Sequence, residues 1–179
     1  MEDLNNTNDK QEFWHSRARL QGEDREGLLI DPGAHDNLTG DEWLHRVEAI
    51  LKKHNLSIET SSMDRHLTVE GVGSGAQECS NKAMVPMVLA TGDTGTFQTP
   101  VIPNSDVPAL LGIKTLEARR ALLDIRGRKL YFLGQGEYQI QLPPGSVELN
   151  LEKTESGHLL LPITEFKNVT TVCLLYTSD

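Results

Sequence analysis

The chain has 179 residues, of which 37% are apolar and 24% charged, with 26 acidic against 17 basic side chains and a formal charge of −9. That composition fits one well-cored globular domain with polar flanks. It argues against a dedicated nucleic-acid binder, which needs a basic stripe to displace counterions from phosphates, and no run approaches the roughly 20 apolar residues that cross a bilayer.

The N-terminus, from Met1 to Phe13, is acidic and polar and lacks the basic-then-apolar pattern of a signal peptide, so an intracellular, cytoplasmic location is expected. Residues 1–26 carry little apolar periodicity and read as a disordered leader. Cys79 and Cys173 stand in unrelated contexts and the six histidines are scattered singly, so neither a disulfide framework nor a metal site is expected, and no cofactor is implied.

Order begins at Gly27. Gly27-Leu28-Leu29-Ile30 is a short apolar run that reads as a buried strand, and Asp31-Pro32-Gly33 is turn chemistry, with proline presetting φ and glycine free to adopt φ > 0. After Ala34 to Leu38 comes the best helix of the chain. Trp43, Leu44, Val47, Ile50 and Leu51 share one face, Thr39 or Asp41 can cap the start, Lys52, Lys53 and His54 suit the C-terminal dipole, and Asn55 is the stop.

Short strands follow. Leu67 to Glu70 alternates, and Gly71-Val72-Gly73-Ser74-Gly75 is a glycine-rich tip. Met84 to Leu89 is a strand whose Pro86 favours an edge or a bulge. Thr91 to Gly95 is a turn, Thr96 to Ile102 a strand, and Lys114 to Arg119 a short helix after Val107 to Gly112. Ala121 to Asp124 and Lys129 to Leu133 form a hairpin around Arg126-Gly127-Arg128. Tyr138 to Leu142 and Val147 to Leu151 form a second around Pro143 to Ser146, and His158 to Ile163 is a last strand. The expected organisation is a domain over 27–133, a β-hairpin extension over 134–166 and an unstructured tail over 167–179, whose residues 172–179 resemble translated sequencing adapter.

The order of these pieces resembles the retropepsins, dimeric aspartic proteases of retroviruses and retrotransposons. Leu29-Ile30-Asp31-Pro32-Gly33-Ala34 matches the apolar-apolar-Asp-Thr/Ser-Gly-Ala signature at every place but Pro32. Gly71 to Gly75 sits where the family has its flap, and Leu110-Leu111-Gly112 matches the apolar-apolar-Gly motif beneath the catalytic turn. A phosphate-binding loop is the rival for the glycine run, which lacks the helix and lysine such loops use.

The resemblance implies a mostly-β acid-protease fold with one main helix and a short C-terminal β extension. It implies Asp31 as the catalytic carboxylate, Gly33 with its N–H against that carboxylate, and Pro32 and Ala34 completing the turn. Peptide hydrolysis by carboxylates needs two of them sharing a proton. One Asp-x-Gly-Ala occurs here, so a homodimer is the implied partner state, with an extended peptide as substrate. Proline lacks the hydroxyl and N–H with which the family locks its two active-site turns together. A retropepsin-derived interaction domain without catalysis is therefore the alternative.

Overall fold

The computed structural model describes residues 18–69 and 76–164. The chain divides into two compact units, Met1–Leu133 and Gly134–Asp179. Along the first run β1 (Leu29–Asp31), β2 (Thr39–Gly40), α1 (Asp41–Lys53), β3 (Glu59–Val69), β4 (Gln77–Val88), β5 (Thr94–Ile102), β6 (Leu110–Gly112), α2 (Ile113–Ala118), β7 (Ala121–Asp124) and β8 (Lys129–Phe132). The fold is mostly β, with two helices among the described residues.

A four-stranded sheet has the order β2-β5-β4-β3, antiparallel except for the parallel β2–β5 pair. β1 and β6 form a separate parallel pair that matches Leu29 with Leu110, Ile30 with Leu111 and Asp31 with Gly112. Side chains alternate faces along a strand, and β6 uses this to serve two cores. Leu111 packs with Trp43, Leu44, Val85 and Phe97, whereas Leu110 packs with Leu38, Cys79, Ile102 and Val107. β6 is thus the seam between the apolar layers. Burial within the second layer raises the pKa of the Cys79 thiol.

Helix α1 buries Trp43, Leu44, Val47 and Leu51 of the face its periodicity predicts, whereas Ile50 is only half-buried. Its end is a Schellman motif: Asn55 adopts φ +58°, and the amides of Asn55 and Leu56 return to the carbonyls of Lys52 and Leu51 at 3.2 and 3.0 Å. Its start differs from expectation. Gly40 is the N-cap residue and makes no side-chain cap, while the Thr39 hydroxyl lies in β2 and donates to the Gly40 carbonyl at 3.3 Å. The Asp41 carboxylate turns instead to the loop before β6, accepting the amides of Asn104 and Ser105 at 2.8 and 2.9 Å. That loop sits so close that a Cβ on Gly40 would lie 2.1 Å from the Ser105 carbonyl oxygen.

Pro86 lies in β4 beyond Met84, where pairing with β3 ends, and is still paired with Thr96 of β5, so it sits in an interior strand that has a free side only locally. The β7–β8 hairpin forms as the residues predict, with Asp124 opposite Lys129, although Arg128, not Gly127, carries the left-handed φ of +53°. Residues 18–26 differ from the expected disordered leader. Asp24 pairs with Lys53 at 2.6 Å and Glu26 with Arg46 at 2.7 Å, which ties this stretch to α1. Residues 1–17 lie outside the described part.

In the second unit the expected hairpin of Tyr138 to Leu142 with Val147 to Leu151 has no ladder. Only its turn is present, with the Ser146 amide and hydroxyl donating to the Pro143 carbonyl at 3.2 and 2.7 Å. Tyr138, Ile140 and Leu142 are each more than half exposed, as are Val147, Leu149 and Leu151. The alternation therefore buries neither face, and a two-stranded ribbon without a buried face has too little to hold it. Pairing occurs instead between β9 (Glu152–Lys153) and β10 (Leu159–Leu160), so the last strand is shorter than the expected 158–163. The tail from 165 lies outside the described residues. Among those described, no helix is long and apolar enough to cross a membrane.

Candidate active site

Asp31 ends β1 and is partly exposed, and the chain turns immediately after it. The Ala34 amide donates to the Asp31 carbonyl at 3.1 Å, closing a four-residue β-turn with Pro32 at its second place, where a fixed φ is favourable. Gly33 does not use the positive φ that glycine permits; its value lies in space. Its amide donates to Asp31 Oδ1 at 2.9 Å, and a Cβ there would stand 3.2 Å from that oxygen. One carboxylate oxygen is thus oriented by the backbone two residues on. Pro32 and Gly33 are exposed on the same turn, and Ala34 is half-buried.

Beneath this turn lies the Leu110-Leu111-Gly112 strand. The amide of Leu29 donates to Ala109 at 2.8 Å, while on the other side of β6 Leu38 and Leu110 exchange backbone bonds of 3.3 and 2.7 Å. The strand bearing Asp31 and the chain leaving the turn are therefore held against one support. Past Gly112 the first amides of α2 reach back, Ile113 to the Ala34 carbonyl at 2.8 Å and Lys114 to the His35 carbonyl at 3.1 Å. A Cβ on Gly112 would lie 2.4 Å from the carbonyl oxygen of Asp36, so only glycine allows this approach.

Asn37 is a contributor that spacing alone does not reveal. Its Oδ1 accepts the Gly112 amide at 3.1 Å and its Nδ2 donates to the Gln98 carbonyl at 2.9 Å, joining the turn to β6 and β5 at once. The available hint is that asparagine side chains readily bond backbone groups after turns. Asp36 pairs with Lys114 at 3.1 Å beside the turn, an exposed contact that contributes little to stability.

The glycine-rich residues Gly71, Val72, Gly73, Ser74 and Gly75 lie outside the described part. Their stems are β3 and β4, paired as far as Val69 with Gln77. His66 Nδ1 meets Glu78 Oε1 at 2.6 Å across those stems. Among the described residues no cluster of three or more His, Cys, Asp or Glu side chains could hold a metal ion.

No family model and no curated protein matches the chain. Among solved structures it is similar to the retroviral protease-like domain of Ddi1 from Leishmania major, at 21% identity and a TM-score of 0.40, over 59% of this chain and 76% of that one.

Proposed function

We propose that this chain supplies half of a retropepsin-like aspartic endopeptidase site, the other half coming from a second copy, and that it processes a retroelement polyprotein. The observation that carries the reading is the Asp31 turn. A partly exposed carboxylate closes a parallel strand pair, is oriented by the Gly33 amide and rests on Leu110 to Gly112. A lone carboxylate cannot both take a proton from water and give one to a peptide carbonyl. Two copies of Asp31 meeting across a two-fold axis divide those tasks: the ionised one accepts the water proton, and the protonated one donates to the carbonyl oxygen. In this reading the segment between β3 and β4 closes over an extended peptide and excludes water.

Pro32 is the observation that favours a second reading, a retropepsin-derived dimerisation domain without catalysis. It brings neither hydroxyl nor N–H to a lock between two such turns, and each missing hydrogen bond costs about 1 kcal/mol. The test is cleavage of a mixed peptide library at mildly acidic pH by the natural chain, Asp31→Asn and Pro32→Thr. Cleavage that Asp31→Asn abolishes is the expected result. Cleavage only after Pro32→Thr points to a sound scaffold silenced at one residue. Silence from all three folded proteins discards the endopeptidase and leaves the second reading.

A further inference from the structure

Asp31–Pro32 is the one Asp–Pro bond in the chain, and it lies at the candidate active site. An aspartyl carboxyl is a nucleophile within reach of its own peptide carbonyl carbon, because attack there closes an unstrained five-membered ring. Proline favours that course. Its nitrogen leaves as a secondary amine, which takes up a proton readily. Having no N–H, it also blocks the competing path in which the next amide nitrogen closes on the carboxyl.

The turn supplies the other requirements. The Gly33 amide holds Asp31 Oδ1 at 2.9 Å, and the ring closed by that hydrogen bond contains the Asp31–Pro32 peptide unit. The carboxyl is thus kept beside the bond. The Ala34 amide donates at 3.1 Å to the Asp31 carbonyl oxygen, the atom that gathers negative charge when its carbon is attacked. A restrained nucleophile and a polarised carbonyl are what the unfolded chain lacks. The charged side chains beside the turn pair among themselves, Asp36 with Lys114 at 3.1 Å and with His35 at 3.8 Å. Asp31 is partly exposed, so water reaches it.

We propose that the folded turn promotes hydrolysis of its own Asp31–Pro32 bond, a self-cleavage that severs the candidate active site in acid. The neutral Asp31 carboxyl bonds through one oxygen to the carbonyl carbon, and its proton passes to the Pro32 nitrogen. The C–N bond breaks, leaving a cyclic anhydride on Asp31 and a secondary amine at Pro32. One water opens the anhydride to two carboxyl groups. The sum is peptide plus water giving acid plus amine. Nucleophile and scissile bond share one residue of one chain, so the proposal does not depend on the endopeptidase reading.

The test is mass spectrometry of the full chain incubated at about pH 4, where carboxylic acid and carboxylate coexist, with circular dichroism showing the fold intact. The same chain unfolded in guanidinium chloride at that pH is the reference. Fragments 1–31 and 32–179 should accumulate about tenfold faster from the folded chain, at a first-order rate that does not change with protein concentration. Asp31→Asn, which lacks the acid, and Pro32→Thr, which lacks the leaving group, should remain whole at this position. A folded chain that cleaves no faster than the unfolded one overturns the proposal, as does cleavage at this bond in Asp31→Asn. A rate that rises with protein concentration also overturns it, since one copy is then cutting another.

Discussion

Around the turn that carries Asp31, two glycines serve different ends. Gly33 makes room for a carboxylate oxygen that its own amide holds, and a methyl group there stands at 3.2 Å from a side-chain atom. At Gly112 a methyl group meets backbone, the carbonyl oxygen and carbon of Asp36 at 2.4 and 2.5 Å, and neither can swing away. Gly112→Ala should therefore destabilise the first unit by about 2–3 kcal/mol, as overpacking does. Urea denaturation monitored by tryptophan fluorescence measures this, and an unchanged midpoint would show that the Asp36 backbone yields freely. The Leu-Leu-Gly pattern was legible in the residues, but its reason was not. The clash is with a chain segment more than seventy positions earlier, and no local spacing records it.

For α1, the apolar face and the Asn55 stop were legible because both depend on neighbours within two turns. Its start was not, because Asp41 bonds amides 63 and 64 positions away. Burial raises the pKa of that carboxyl, but the Ser105 and Asn104 amides, with His45 and the Glu42 amide, outweigh it and hold Asp41 below the usual carboxylate value. A folded pKa below the unfolded one means that the stabilisation is present above the unfolded value. It is lost as pH falls through the unfolded value and on through the lowered one. Asp41→Asn should cost about 1 kcal/mol near pH 7 and flatten the acid-side decline, both read from denaturant titrations between about pH 7 and pH 2.5. Parallel curves for the two proteins would remove Asp41 from the acid response. The absent hairpin at Tyr138 to Leu151 is the opposite case. There the alternation is clear, yet no face is buried, and pattern alone does not supply a partner surface.

At the scale of the molecule, the proposed function needs two chains, because one chain offers a single Asp-x-Gly-Ala turn. If Asp31 works as half of a pair, specific activity on a cleaved peptide should fall as the protein is diluted, and more steeply for the natural chain than for Pro32→Thr. Activity proportional to concentration down to nanomolar protein would mean that a single chain suffices.

What the sequence determined by itself is local: the Asp31-Pro32-Gly33 turn, most of the buried face and the end of α1, and the β7–β8 hairpin. Each follows from residues a few positions apart, whose periodicity and backbone preferences act before any tertiary contact exists. Tertiary structure alone decided that Asn37 bridges to Gly112 across 75 positions, that β6 divides two cores, and that Asp24 and Glu26 bind the segment before β1 to α1. It also left Trp43 with a buried donor and no acceptor among the described residues. These depend on which surfaces meet once chain entropy has been overcome, and that is set by packing between distant segments rather than by any spacing along the chain.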